Sequence, residues 1–277
     1  MKTYTPLIHS ISRSRRFLMV LAGISSLLIA SLPLSAGTIY SEDFSSGREG
    51  WYNSSSAGGL LAGGGEIKSI NSWASFLGHF PSTTLAVNET MTVSFDLKVD
   101  TPVVGNYKFR MGVMDSGGVA NQATGDNYGS IDPSLFTNYG GYRVNTNVGD
   151  AAAGHTYFSE RSGTGDGLLS NGMTELTNSE NGVNLADDTW YTTLFTLTRT
   201  DATTINLSFS LNGVTLTDTD TTADTFTFDT LAFYEGNVTT ATFVDNVLIT
   251  TAVIPEPTTL TLMVGALLFG LYFKRRT

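Results

Sequence analysis

The chain has 277 residues and no cysteine, only three histidines, and fifteen basic residues against twenty-five acidic ones. Without cysteine there is no disulfide framework, no thiolate nucleophile and no Cys-ligated metal. Two histidines, His79 and His155, fall in the body of the chain, too few for a His-rich zinc centre. The Gly-x-Ser-x-Gly elbow of serine hydrolases is missing. His155 lies near Ser159, but alone in a Gly-rich stretch it reads as a surface residue. Helical periodicity is scarce throughout.

Both ends read as targeting segments and are set aside before fold is considered. Lys2, Arg13, Arg15 and Arg16 precede an apolar run from Phe17 to Leu34, and Ser35, Ala36 and Gly37 supply small residues for cleavage. This is the pattern of a secretory signal peptide, assigned to residues 1–36. The alternative, an uncleaved N-terminal anchor, fits less well with Pro33 and the small residues that end the run. Ser14 to Leu18 approaches the twin-arginine export pattern, but Phe17 comes one position early, so general secretion is expected. At the other end, Pro255-Glu256-Pro257 leads into an apolar run from Leu260 to Phe273 and then Lys274, Arg275 and Arg276. Counted from Thr258, a helix there would span about 24 Å, short of the ~30 Å hydrocarbon core of a bilayer. A single short hydrophobic helix is expected, anchoring weakly with its basic end on the cytoplasmic side.

Residues 37–252 remain as one domain, carrying 24 acids and 8 bases, a formal charge of −16. Such a surface repels phosphate backbones, so nucleic acid is excluded as a partner. Solubility or cation binding fits it better.

What is present is alternation. Val93, Phe95, Leu97 and Val99 are separated by Ser94, Asp96 and Lys98. Phe109, Met111 and Val113 alternate with Lys108 and Arg110, and Ile205, Leu207, Phe209 and Leu211 with Asn206, Ser208 and Ser210. Phe226 and Phe228 repeat the pattern. Successive strand side chains point to opposite faces, so each stretch has one dry and one wet face. Asn212-Gly213 between two apolar residues marks a two-residue hairpin, and Asn171-Gly172 and Asn181-Gly182 mark further turns. An all-β antiparallel sandwich is expected. Ser54–Gly65, Gly117–Gly154 and Gly163–Gly182 break the rhythm and are expected as surface loops. No repeat of 20–50 residues is evident.

The order of landmarks carries a resemblance. Asp43-Phe44 precedes Gly50-Trp51; Tyr139 to Asn147 reads YGGYRVNTN; Trp190 enters a strand ending at Arg199; INLSFSLNG and TFVDNVLIT follow. This order resembles the bacterial concanavalin-A-like, laminin-G-type jelly rolls over most of Thr38 to Thr250, with galactose-binding-like modules the alternative. The resemblance implies an antiparallel jelly-roll β-sandwich, and it raises glycoside hydrolysis, because that superfamily includes glycosidases. A retaining glycosidase needs two carboxylates about 5 Å apart, which the family carries as Glu-x-Asp-x-x-Glu or Glu-x-Asp-x-Glu on one strand. No such run occurs. Asp218 and Asp220 alternate without a Glu, and Lys98 interrupts Asp96 and Asp100.

Two binding sites remain candidates. Calcium takes carboxylate and carbonyl oxygens, and Asp43, Asp245 and Asn246 would meet if the first and last strands are neighbours, as the resemblance implies. Asp218, Asp220 and Asp224 form a second acidic group. Otherwise no cofactor is expected. Sugar sites use an aromatic platform with a few fixed polar groups, and Tyr128, Tyr139, Tyr142 and Arg143, with Phe136, are the candidate set. Trp51, Trp73 and Trp190 are expected to be buried.

The tail closely resembles the PEP-CTERM sorting signal of Gram-negative bacteria, with Pro255, Glu256 and Pro257, the apolar helix, and Lys274, Arg275 and Arg276 in order over Val253–Thr277. The resemblance implies export across the inner membrane, transient anchoring there, and recognition by an exosortase-type processing protease. Delivery to the cell-envelope surface or an extracellular polysaccharide matrix would follow. A plain single-pass anchor is the alternative. The expected function is a non-enzymatic surface or matrix protein; a carbohydrate-binding module is the alternative, and a divergent glycosidase the second.

Overall fold

The computed structural model describes residues 36–48, 50–54, 60–69, 75–100, 108–128, 134–149, 155–162, 167–170, 172–236 and 241–254. Residues 1–35 of the expected signal peptide lie outside the described residues, as do Trp73, the Pro255, Glu256 and Pro257 motif, the expected C-terminal helix, and Lys274, Arg275 and Arg276. Among the described residues no helix is long and apolar enough to cross a membrane.

Fifteen strands follow one another. The first five are β1 (Ala36–Glu42), β2 (Trp51–Asn53), β3 (Leu60–Ala62), β4 (Ile67–Ser69) and β5 (Ser75–Thr84). Next come β6 (Glu89–Val99), β7 (Lys108–Asp115), β8 (Gly140–Asn147), β9 (His155–Ser162) and β10 (Met173–Asn181). The last are β11 (Tyr191–Arg199), β12 (Ile205–Leu211), β13 (Val214–Asp220), β14 (Thr227–Gly236) and β15 (Thr242–Val253). They form two sheets, all pairs antiparallel. The first runs β13-β12-β11-β6-β15-β4-β3 with β1 also on β15, and the second β10-β9-β8-β7-β14-β5-β2. The antiparallel all-β sandwich read from the alternation is present.

The stretches read from alternation are β6, β7 and β12, and Phe228 lies in β14 with Phe226 just before it. On β6 the apolar positions Met91, Val93, Phe95, Leu97 and Val99 are buried, and the residues between them are half-exposed. They face Phe109, Met111 and Val113 of β7 across the sandwich in one core. Phe233 centres an aromatic cluster, with Phe95 at 4.9 Å, Phe76 at 5.2 Å, Trp51 at 5.9 Å and Phe109 at 6.0 Å. Offset and edge-on pairs of this kind add to area burial. Gly78 lies beneath the Trp51 indole, where a Cβ would strike the ring, and Trp51 Nε1 donates to the Tyr40 hydroxyl at 2.9 Å.

The Asn212-Gly213 turn joins β12 to β13 with φ of 46° and 81°, the pair of positive values a type I′ hairpin needs. Asn181-Gly182 instead ends β10 and opens a loop to β11. The outward side of the first sheet is hydroxylated. Thr217, Ser208, Thr196, Thr92, Thr250 and Thr38 stand opposite one another across six strands.

The long Gly-rich segments do not form a free rim. Their described parts fold back on the outward side of the second sheet and build a second core, in which Tyr128, Phe136, Tyr139, Leu168 and Leu169 cover Leu77, Met114 and Ala232.

Candidate functional site

Strand parity sets what the outward side of the second sheet carries. On β7 the core takes Phe109, Met111 and Val113, which leaves Lys108, Arg110, Gly112 and Met114 facing out. On β8 the core takes Tyr142 and Val144, so Gly141, Arg143, Asn145 and Asn147 face out. On β9, Phe158 is inward, and His155, Tyr157, Ser159 and Arg161 are outward. The registers then align these residues in rows. One row reads Ser75, Tyr234, Arg110, Asn145, Tyr157 and Ser179 across β5, β14, β7, β8, β9 and β10. The adjacent row reads Leu77, Ala232, Gly112, Arg143, Ser159 and Glu175.

The second core covers the Arg143 row and reaches the Arg110 row, where Tyr234 packs against it and the Tyr128 hydroxyl donates to Ser75 O at 3.0 Å. Gly112 admits the covering segment, since a Cβ there would press on Met114 and Leu169. Three arginines hold that segment through its carbonyls. Arg161 donates to the carbonyls of Phe136 at 2.7 Å, Gly167 at 2.9 Å and Tyr139 at 3.1 Å. Arg143 donates from Nη1 to Leu169 O at 2.8 Å and from Nη2 to Ser159 Oγ at 2.9 Å. Arg110 Nη1 donates to the same Leu169 carbonyl at 3.0 Å. Burial, with the Arg110 charge beside it, pushes the Arg143 guanidinium down to about 10.

Along the Arg110 row the groups are pre-set. Arg110 lies over the Tyr234 ring at 4.6 Å, and its Nε donates to Asn145 Oδ1 at 2.9 Å. Tyr157 stands on the other side of Asn145, with the Arg143 guanidinium 5.9 Å from its ring. Tyr234, Arg110 and Tyr157 are each half-buried. Two half-buried tyrosine rings flank a fixed guanidinium and amide, residue types that sugar sites combine. The outward positions of β7, β8 and β9 carry no Asp or Glu, and Glu175 of β10 is the carboxylate that ends the Arg143 row.

The sugar-site candidates from the sequence are corrected here. Tyr128, Tyr139 and Tyr142 are 4%, 0% and 0% exposed, so none offers a ring face to a ligand. Tyr128 and Tyr139 pack edge-on against Phe136 in the second core. Tyr142 points between the sheets, where its hydroxyl donates to Asp220 Oδ2 at 2.8 Å. Arg143 is buried on the outward side of the second sheet, in the row beside Arg110. Tyr142 and Arg143 could never have shared a site, because neighbours on a strand face opposite ways. Trp190 is corrected too: it is 39% exposed, with Lys98 4.8 Å from its ring, whereas Trp51 is buried as expected. Reading parity through "KFRMGVM" and "YRVNTN" would have placed Arg110, Asn145 and Asn147 on one face; nothing local in the sequence singles out Tyr157 or Tyr234.

The first and last strands do pair, β1 on β15, which brings Asp43, Asp245 and Asn246 to one end. Asn246 Nδ2 donates to Asp96 Oδ2 at 2.9 Å and to Asp245 Oδ2 at 3.3 Å, bridging the two carboxylates with an amide. Asp43 accepts from its own turn at Ser45 N. Burial, then the carboxylates of Asp96, Asp43 and Glu66, holds Asp245 above the usual range. Among the described residues no three His, Cys, Asp or Glu side chains converge as a metal site, so the calcium candidates are not assembled into one. The second acidic group is structural. Asp218 accepts from Asn178 N at 2.9 Å and ties β13 to β10, while Asp220 accepts from Tyr142 and Thr222.

No family model and no curated protein sequence matches the chain. Among solved structures, similar ones include the metal-free Emp46p carbohydrate recognition domain, at 10% identity and TM-score 0.48, covering 72% of this chain and 87% of that one. An endo-1,3-beta-glucanase from Streptomyces sioyaensis is 15% identical with TM-score 0.48, covering 80% and 99%. A protein of unknown function with galectin-like fold from Bacillus subtilis is 12% identical with TM-score 0.46, covering 80% and 100%. Identities and scores this low transfer neither a site nor an activity.

Proposed function

We propose that this chain is an exported envelope or matrix protein whose jelly-roll sandwich binds carbohydrate without cleaving it. The carrying observation is the row Tyr234, Arg110, Asn145 and Tyr157, two ring faces on either side of a guanidinium and an amide already held by Tyr234 and by each other. Such a row offers C–H stacking and fixed donors at little ordering cost. The two outward rows hold a single carboxylate, Glu175 of β10, which supports binding over hydrolysis, since glycoside cleavage needs a facing pair. The PEP-CTERM-like tail and the signal peptide read from the sequence support delivery through the inner membrane to the surface, with an exosortase-type protease as processing partner.

A glycan array probed with the full chain tests the reading. Binding to at least one glycan, lost in Tyr157→Ala, is the expected result; no binding across the array would sink it.

A further inference from the structure

We infer that the ligand of this face is an extended polysaccharide segment of about four sugar units laid across the strands, not a single terminal sugar. This rests on the carbohydrate reading above and names the ligand class of the same site. Tyr234, Arg110, Asn145 and Tyr157 hold directly opposed positions on β14, β7, β8 and β9, so the row runs perpendicular to the strands. Three strand intervals separate the two tyrosines, and at ~4.8 Å each they stand about 14 Å apart. A pyranose ring is about one such interval wide, so no single sugar touches both. An extended chain advances by about one interval per unit, which sets Tyr234 and Tyr157 beneath the two ends of a four-unit stretch.

What lies between and beside the tyrosines favours a long, narrow ligand. Asn145 is 3% exposed and sits low, accepting from Arg110 Nε at 2.9 Å. It sets the guanidinium and leaves the span toward Tyr157 to be bridged by the ligand. Arg110 is fixed further by the Tyr234 ring at 4.6 Å and by Leu169 O at 3.0 Å. Gly236 follows Tyr234 on the same side of β14, and a Cβ there would come within 3.3 Å of the ring at Cε1. The ring therefore leans toward Gly236, where no side chain rises beside it. On the other flank the cover rises along the Arg143 row, its Leu169 carbonyl pinned by Arg110 and Arg143.

The row also has a direction. Ser75, beside Tyr234, is taken by Tyr128, whose hydroxyl donates to Ser75 O at 3.0 Å and lies 3.1 Å from Ser75 Oγ. Beyond Tyr157 comes Ser179, exposed on β10, the last strand of the sheet. The stretch left for a ligand thus begins at Tyr234 and runs toward the β10 edge, a ledge along the foot of the cover. A short sugar engages one ring, whereas a chain that reaches the second ring makes that contact within a complex already formed, at high effective concentration.

The test is calorimetric titration of the full chain with the best glycan of the array, as a series from its disaccharide to its hexasaccharide. Affinity should rise at least about tenfold between the disaccharide and the tetrasaccharide and change little beyond, with one chain bound per protein. Tyr157→Ala should abolish the rise, so that the tetrasaccharide binds the variant as the disaccharide binds the parent. Tyr157→Phe, which keeps the ring, should retain the rise and serves if the alanine variant fails to fold. A disaccharide bound as tightly as the hexasaccharide, two disaccharides bound per protein, or a rise that survives in Tyr157→Ala overturns the inference and leaves the carbohydrate reading standing. No binding to any glycan removes both.

Discussion

Glu160 points between the sheets from β9, opposite in parity to Tyr157 and Ser159, and its Oε1 accepts from Asp224 N at 3.0 Å. Burial first, then the nearby Asp220 and Asp224 carboxylates, raises it from 4.5 to about 7. A carboxyl raised on folding stabilises the fold fully below its unfolded value near 4.5, and that contribution fades as pH climbs through about 7. His79 works in the other direction. Its Nε2 donates to Ala123 O at 3.1 Å, and burial lowers its pKa, so its contribution is present above the ordinary imidazole range and lost as pH falls. Stability should therefore decline on both flanks. Glu160→Gln imitates the protonated acid, keeping an acceptor for Asp224 N and a donor toward Asp220. Thermal unfolding followed by circular dichroism should show the variant gaining on the parent at about pH 8 and matching it at about pH 5. A variant that loses stability at the higher pH would show that the ionised form is the favoured one.

The segment over the second sheet depends on Arg161, which is fully buried and reaches carbonyls on two separate stretches, Phe136 and Tyr139 on one and Gly167 on the other. Arg161→Met leaves those carbonyls buried without that donor, a loss of about 1–3 kcal/mol for each group stranded. The sandwich core, built from other residues, should survive. Limited proteolysis should then cut the variant within the covering segment much faster than the parent while the far-ultraviolet spectrum stays that of a β-protein; equal cleavage rates would count against the anchoring role. The sandwich itself was legible, because β6, β7 and β12 alternate cleanly and Asn212-Gly213 adopts the φ values its residues favour. The cover was not. Tyr128, Phe136 and Tyr139 sit among Gly, Asn and Asp, which reads as solvent-facing loop, and their burial depends on a sheet face supplied by distant strands. Tyr157 and Tyr234 were invisible for the same reason, since they meet across β7 and β8 only once the registers are known.

At the scale of the whole molecule, the proposed reading joins charge to address. A body of 24 acids and 8 bases favours solubility and disfavours nucleic acid, and the tail read from the sequence is expected to be removed on arrival. Mass spectrometry of the protein recovered from the cell surface should find a C-terminus upstream of Lys274; an intact Arg276 would rule out processing at the motif. The central claim is that the Tyr234–Arg110–Asn145–Tyr157 row is the binding face, and the most direct measurement is calorimetric titration of the full chain with the best array glycan, repeated with Tyr157→Ala and Tyr234→Ala. Loss of a ring that stacks on the ligand should weaken affinity by about tenfold or more in each variant, with Thr196→Ala on the opposite sheet as an unaffected control. Unchanged affinity in both tyrosine variants would place the site elsewhere and contradict the account.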